Sequence, residues 1–114
     1  MILILRDAAD PEQIAIMLET LGSYIKLAVD VERALVAGGG ELHADCEEAL
    51  LEDGSRQEKI WGADWDPAGE VRFESLINIR PRQGNRSLEL QSPELRQHVE
   101  RIVRHVFEGE QKTC

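Results

Sequence analysis

Three things are scarce in this sequence. Cysteine occurs twice (Cys46 and Cys114), aromatic residues make up 4% of the chain, and no apolar run reaches the roughly 20 residues that a bilayer span needs. Two cysteines with no Cys-x-x-Cys pair form no disulfide framework and lack the spacing of a structural zinc site. They read as reduced thiols of a cytosolic protein. Met1 to Leu5 is apolar, but no basic stretch precedes it and Arg6-Asp7 ends it, so it reads as a strand rather than a signal peptide. Basic charge is also scarce. Lys and Arg total 13 against 22 Asp and Glu, a net charge of −9. Such a surface disfavours non-specific binding to nucleic acid or to an anionic membrane.

Signature motifs are missing as well. There is no Gly-x-Gly-x-x-Gly, no Gly-Lys-Ser ending and no Gly-x-Ser-x-Gly around Ser55 or Ser75. What remains is ordinary globular material, 42% apolar and 31% charged over 114 residues. That length suits one domain with its own core. The expected unit is residues 1–109, with 110–114 as a frayed tail.

The pattern of elements predicts an α+β fold, an antiparallel-rich sheet with about three helices in a single domain. After the Met1–Leu5 strand, Asp10, Pro11 and Gln13 supply a capping box and a first-turn proline for a helix carrying Ile14, Met17, Leu18 and Leu21. From Tyr24 the period falls to two. Ile25, Leu27, Val29 and Val31 form a buried face, and Tyr24, Lys26, Ala28, Asp30 and Glu32 a wetter one. With Ala34–Ala37 this makes a hairpin, and one helix over residues 23–37 is the rival. Glu41–Asp53 reads as a helix stopped by Gly54. Ile60–Trp65 and Val71–Ile79, joined by Asp66-Pro67-Ala68-Gly69, read as a second hairpin, with Ser87–Leu90 a short edge strand. Ser92-Pro93 caps a closing helix.

Two constellations could carry chemistry. The first is an arginine and amide loop, Asn78, Arg80, Arg82, Gln83, Asn85 and Arg86, in a stretch whose bases are all arginine. Guanidinium forks and amides at a glycine-containing loop suit a small anion, a nucleotide or an acidic partner surface. The plain alternative is a solvated loop whose arginines pair with the acids of Glu41–Glu58. The second is Gly38-Gly39-Gly40 followed by Glu41, His43 and Asp45. Three glycines make either a strand-to-helix corner or a phosphate-cradling loop ahead of a helix. His43 has the chemistry of a general base, with Asp45 or Glu41 to orient it or to hold a divalent cation, although a spacing of two separates side chains on a helix. Cys46, on a helix among acids, reads as unreactive. Trp61 and Trp65 share one strand face, which is core if covered and a partner surface if not.

Gly39-Gly40-Glu41-Leu42-His43-Ala44-Asp45, Leu50-Leu51-Glu52-Asp53-Gly54-Ser55 with Gln57, Ile60-Trp61-Gly62-Ala63, and Ser75-Leu76-Ile77-Asn78-Ile79-Arg80-Pro81 with Gln83, Asn85 and Ser87 together resemble a bacterial family of unknown function, common in cyanobacteria. The resemblance covers nearly the whole chain up to about Phe107. Leu88 and Leu90 depart from it where Met and Ile are more usual. It implies a stand-alone small protein and brings no activity, ligand or cofactor with it. The functional expectation is therefore a binding protein using the arginine loop. Its partner would be a small anion or an acidic protein surface, including the Glu41–Glu58 segment of a second copy in a homo-oligomer. The alternative is a small hydrolase or phosphate-handling enzyme built on His43.

Overall fold

The capping box forms as the sequence predicts. In the computed structural model, which describes residues 1–109, the Asp10 carboxylate accepts the Gln13 N–H at 2.8 Å and the Gln13 side chain accepts the Asp10 N–H at 3.1 Å. It opens helix α1 (Pro11–Leu18), which follows strand β1 (Leu3–Leu5). Strands β2 (Ile25–Asp30) and β3 (Leu35–Gly38), helix α2 (His43–Glu52), strands β4 (Ile60–Trp65) and β5 (Val71–Arg72) and helix α3 (Pro93–Glu108) complete the regular elements, with single 3-10 turns at Gln57–Lys59, Leu76–Asn78 and Pro81–Gln83. The expected tail at 110–114 lies outside the described residues.

Every strand pairing is antiparallel, in the order β1-β3-β2-β4-β5. Residues 25–38 are a hairpin and not a helix. Its corner is built by Asp30, whose Oδ1 accepts the N–H groups of Glu32 and Arg33 at 2.8 and 2.9 Å. That local acceptor turns the chain where a helix would have continued.

The sheet has cores on both faces. Ile25, Leu27, Val29, Val36, Trp61 and Trp65 pack with Met17 of α1 and with Val99, Ile102, Val103 and Val106 of α3. Ala28, Leu35, Ala37 and Ile60 pack on the opposite face with Cys46 and Leu50 of α2. The face expected to be wetter is so at Tyr24 and Lys26, which are half-buried, and at the exposed Glu32, but Ala28 and Asp30 are fully buried, Ala28 against α2. Among described residues no helix is long and apolar enough to cross a membrane.

The arm expected over Val71–Ile79 is corrected most. β5 lasts two residues, pairing Arg72 with Asp64 and Val71 with Trp65. Past Phe73 the chain leaves the β4 edge, and the expected strand at Ser87–Leu90 is reduced to a single bridge between Glu74 and Glu89. Ser75 then accepts the Ile77 N–H and starts a 3-10 turn. This would strand the backbone of Gly62 on β4, but the side chain of Asn78 takes the vacant place. Asn78 Oδ1 accepts the Gly62 N–H at 2.8 Å, and its Nδ2 donates to Gly62 O at 3.1 Å. One amide thus pairs a strand residue as a neighbouring strand would.

Gly62 has no Cβ because the loop lies on it. A methyl there would stand 2.5 Å from Ser75 Cβ and 2.6 Å from its Oγ. Gly62→Ala and Asn78→Ala are each expected to lower unfolding free energy by about 2–3 kcal/mol, through overpacking and an orphaned buried N–H respectively. Urea denaturation checks this, with Arg82→Ala, on the exposed rim, expected to stay within about 0.5 kcal/mol of the parent.

Candidate functional site

The six loop residues divide into a built-in set and an outer pair. Asn78 is fully buried, and its Nδ2 also donates to Phe73 O and Leu88 O. Asn85 is buried too. Its Nδ2 donates to the carbonyls of Asn78, Ser87 and Glu89, and its Oδ1 accepts the Gln91 N–H. Gln83 joins Glu58 O to the Arg80 guanidinium.

Arg80 has five N–H donors, and each has an acceptor inside the chain: Ile77 O for Nε, Gln57 O and Gln83 Oε1 for one terminal nitrogen, Glu47 Oε2 and Ile60 O for the other. Its plane lies over Trp61, 4.5 Å from the ring centroid. Burial pulls its pKa below the usual arginine value, with Glu47 and Glu58 opposing the shift. No donor is left for a ligand. Arg82 and Arg86 remain exposed and form no ion pair among the described residues. The alternative of arginines paired with the Glu41–Glu58 acids describes Arg80 and leaves these two out.

The glycine run is a buried corner rather than an open cradle. Gly39 takes φ +104°, and a Cβ there would fall 2.3 Å from Met1 O, so only glycine fits. The corner delivers His43 to the first position of α2. Neither Asp45 nor Glu41 meets its ring; both are exposed. The partner is Asp64 on β4, whose Oδ1 lies 2.8 Å from His43 Nε2, with Ala63 O at 3.1 Å from the same nitrogen. Two acceptors on Nε2 place the proton there and leave Nδ1 as the second functional nitrogen. Both side chains are 12% exposed, and Arg72 Nε stands 3.7 Å from Asp64 Oδ2. Asp64, two residues before the turn aspartate Asp66, plays no part in the turn's hydrogen bonds; Asp66 accepts there from the Ala68 and Glu70 N–H groups. Strand alternation carried the missed signal, because Asp64 points away from the Trp61/Trp65 face, toward α2.

His43 opens onto a cleft of about 220 Å³ lined by Lys26, Leu42, His43, Ala44, Ser75, Leu76 and Ile77. Helix α2 and the 75–77 turn form its two sides, so the glycine corner and the loop converge, though through Ser75 rather than through the arginines. Lys26 pairs across β2–β4 with Asp64 and its Nζ donates to Glu41 O at 3.1 Å. Leu42 occupies the N-cap with no side-chain hydrogen bond, which leaves the N–H groups of His43 and Ala44 uncapped beside the cleft, while the Asp45 N–H donates to Leu42 O. Ser75 is buried. Its Oγ accepts from Ile77, and its hydroxyl proton has no acceptor among the described residues. A larger groove, about 450 Å³, follows Gln97, Glu100, Arg101 and Arg104 of α3, but Arg104 is held by Glu100, Glu108 and Gly69 O.

Other candidates are settled by burial. Cys46 is a free, buried thiol pushed up to about 11, chiefly by burial, with Asp45 a smaller cause than the acid-rich sequence suggested. Trp61 and Trp65 are core residues, Trp65 stacked on Phe107 at 4.7 Å and donating to Glu108. No group of three or more His, Cys, Asp and Glu is placed for a metal among the described residues.

Arg80→Ala is expected to cost about 3 kcal/mol of stability, since it strands Glu47 together with the carbonyls of Ile60, Gln57 and Ile77. Arg82→Ala with Arg86→Ala should leave the melting temperature within a degree or two, as exposed substitutions do. Differential scanning calorimetry separates the two cases.

No curated protein and no solved structure matches this chain. A family model does, over residues 3–106, a span that includes both the glycine corner and the arginine and amide loop. The chain belongs to the family described as proteins of unknown function, DUF5674.

Proposed function

We propose that this protein binds a small anion, of the phosphate-monoester or short-carboxylate class, in the cleft at the start of α2, with His43 exchanging a proton with it. The observation that carries this reading is the ring of His43, held through Nε2 by Asp64 at 2.8 Å and by Ala63 O. An imidazole oriented by a carboxylate, beside a lysine and uncapped helix N–H groups, is the arrangement that acid–base sites on anionic ligands use. The proposed ligand is still an anion, but its place moves from the arginine loop to the cleft walled by the 75–77 turn that leads into that loop. Chemistry on the ligand, as in the hydrolase alternative, would use Nδ1 as the base. Asp64 would take the orienting role first given to Asp45 or Glu41. A free thiol at Cys46 suits a reducing compartment such as the cytoplasm.

The test is thermal stabilisation by inorganic phosphate, acetate and nucleoside monophosphates. A probe at about 100 times its dissociation constant should add roughly 2.7 kcal/mol. The gain is expected to vanish in His43→Gln and Lys26→Met and to persist in Arg82→Ala. Stabilisation that survives both cleft substitutions would sink the proposal.

A second reading rests on Arg82 and Arg86, exposed and outside any ion pair among the described residues. They would meet an acidic partner surface, including the exposed Glu48 and Glu52 of another copy in a homo-oligomer. Its signature would be self-association in sedimentation runs that weakens with salt and is lost in the Arg82→Ala, Arg86→Ala double variant.

A further inference from the structure

The cleft carries an apolar mouth that a bare anion would not need. Leu42 is 56% exposed and Leu76 is 77% exposed, and both line the cleft, one on α2's N-cap and the other on the 75–77 turn. They stand on opposite sides of the opening, with Ala44 and Ile77 as further apolar wall. An exposed leucine alone is unremarkable, but two lining one small cleft together with His43 and Lys26 form a local binding feature. The same cleft is lined by Lys26, His43 and Ser75, and the hydroxyl proton of Ser75 has no acceptor among the described residues. The cleft is therefore amphipathic, joining a lysine, an imidazole and a hydroxyl to two exposed leucines.

Resting on the anion-binding reading above, we infer that the ligand class is a monoanion or phosphate monoester bearing a linear apolar substituent. Its head is held by Lys26, His43 and Ser75, and its substituent lies between Leu42 and Leu76. Charge complementarity fixes the direction of entry. The carboxylate or phosphate goes to Lys26, the only Lys or Arg among the lining residues, and the substituent is left at the exposed leucines. A cleft of about 220 Å³ is too small to enclose a drug-sized molecule but accepts a head group and the first few methylenes.

The test is a homologous series, acetate, butyrate and hexanoate, alongside inorganic phosphate and butyl and hexyl phosphate, titrated calorimetrically below any micelle concentration. Affinity is expected to rise about two- to four-fold per added methylene until the chain leaves the rim. In the Leu42→Ala, Leu76→Ser double variant, both positions being surface-exposed, the series should flatten, with hexanoate and hexyl phosphate falling towards the affinities of acetate and phosphate. Measurable binding of acetate or phosphate with no chain-length dependence in the parent protein would overturn this inference and leave the anion site standing. A dependence that persists in the double variant would overturn it as well. Absence of binding by every member would remove both this inference and the reading on which it rests.

Discussion

The fold turns on the free edge of β4. Its backbone offers hydrogen-bonding groups at Ile60 and Gly62, and β5 reaches only Asp64 and Trp65. In place of a longer strand, two side chains complete the edge. Asn78 takes both groups of Gly62, and Arg80 takes Ile60 O. The spacing of two between Asn78 and Arg80 matches the spacing of two between Gly62 and Ile60, so the loop runs along β4 as a strand substitute made of side chains. Buried backbone groups must be paired, which makes this substitution obligatory once β5 stops. Asn85, Gln83 and Glu47 then hold the two substitutes in place.

The site follows from that edge. Because Asn78 and Gly62 lock the loop down, Ser75 sits directly on β4, where no Cβ could be tolerated at Gly62. Across from it the glycine corner sets His43 at the start of α2, within reach of Asp64 two residues beyond Gly62 on the same strand face. The cleft is the space left between these two anchored pieces. Asn78, Arg80, Gln83 and Asn85 thus work as scaffold, while Lys26, His43 and Ser75 line the cleft.

Much of this was legible in the sequence. Local signals read correctly: the Asp10–Gln13 capping box, the period-two run of Ile25 to Val29, the Ser92-Pro93 cap of α3 and the antiparallel α+β class all depend on neighbours a few residues away. The Val71–Ile79 arm misled because alternation continues on paper while Ser75 offers its hydroxyl to Ile77 and bends the chain. The roles of Asn78 and Arg80 were unreadable for another reason. Their partners lie 16 and 20 residues away, and nothing in composition distinguishes an amide that pairs a strand edge from one that meets a ligand. His43 was visible as a candidate, but its orienting acid is 21 residues downstream, next to a turn aspartate of the same type.

The most direct measurement is a two-dimensional amide NMR titration with inorganic phosphate and hexanoate, following assigned backbone signals. The account predicts shifts confined to Lys26, Leu42, His43, Ala44 and the Ser75–Ile77 turn, with Arg82 and Arg86 unmoved. Shifts centred on Arg82 and Arg86, with the start of α2 silent, would contradict it and return the arginine loop to the role of ligand site.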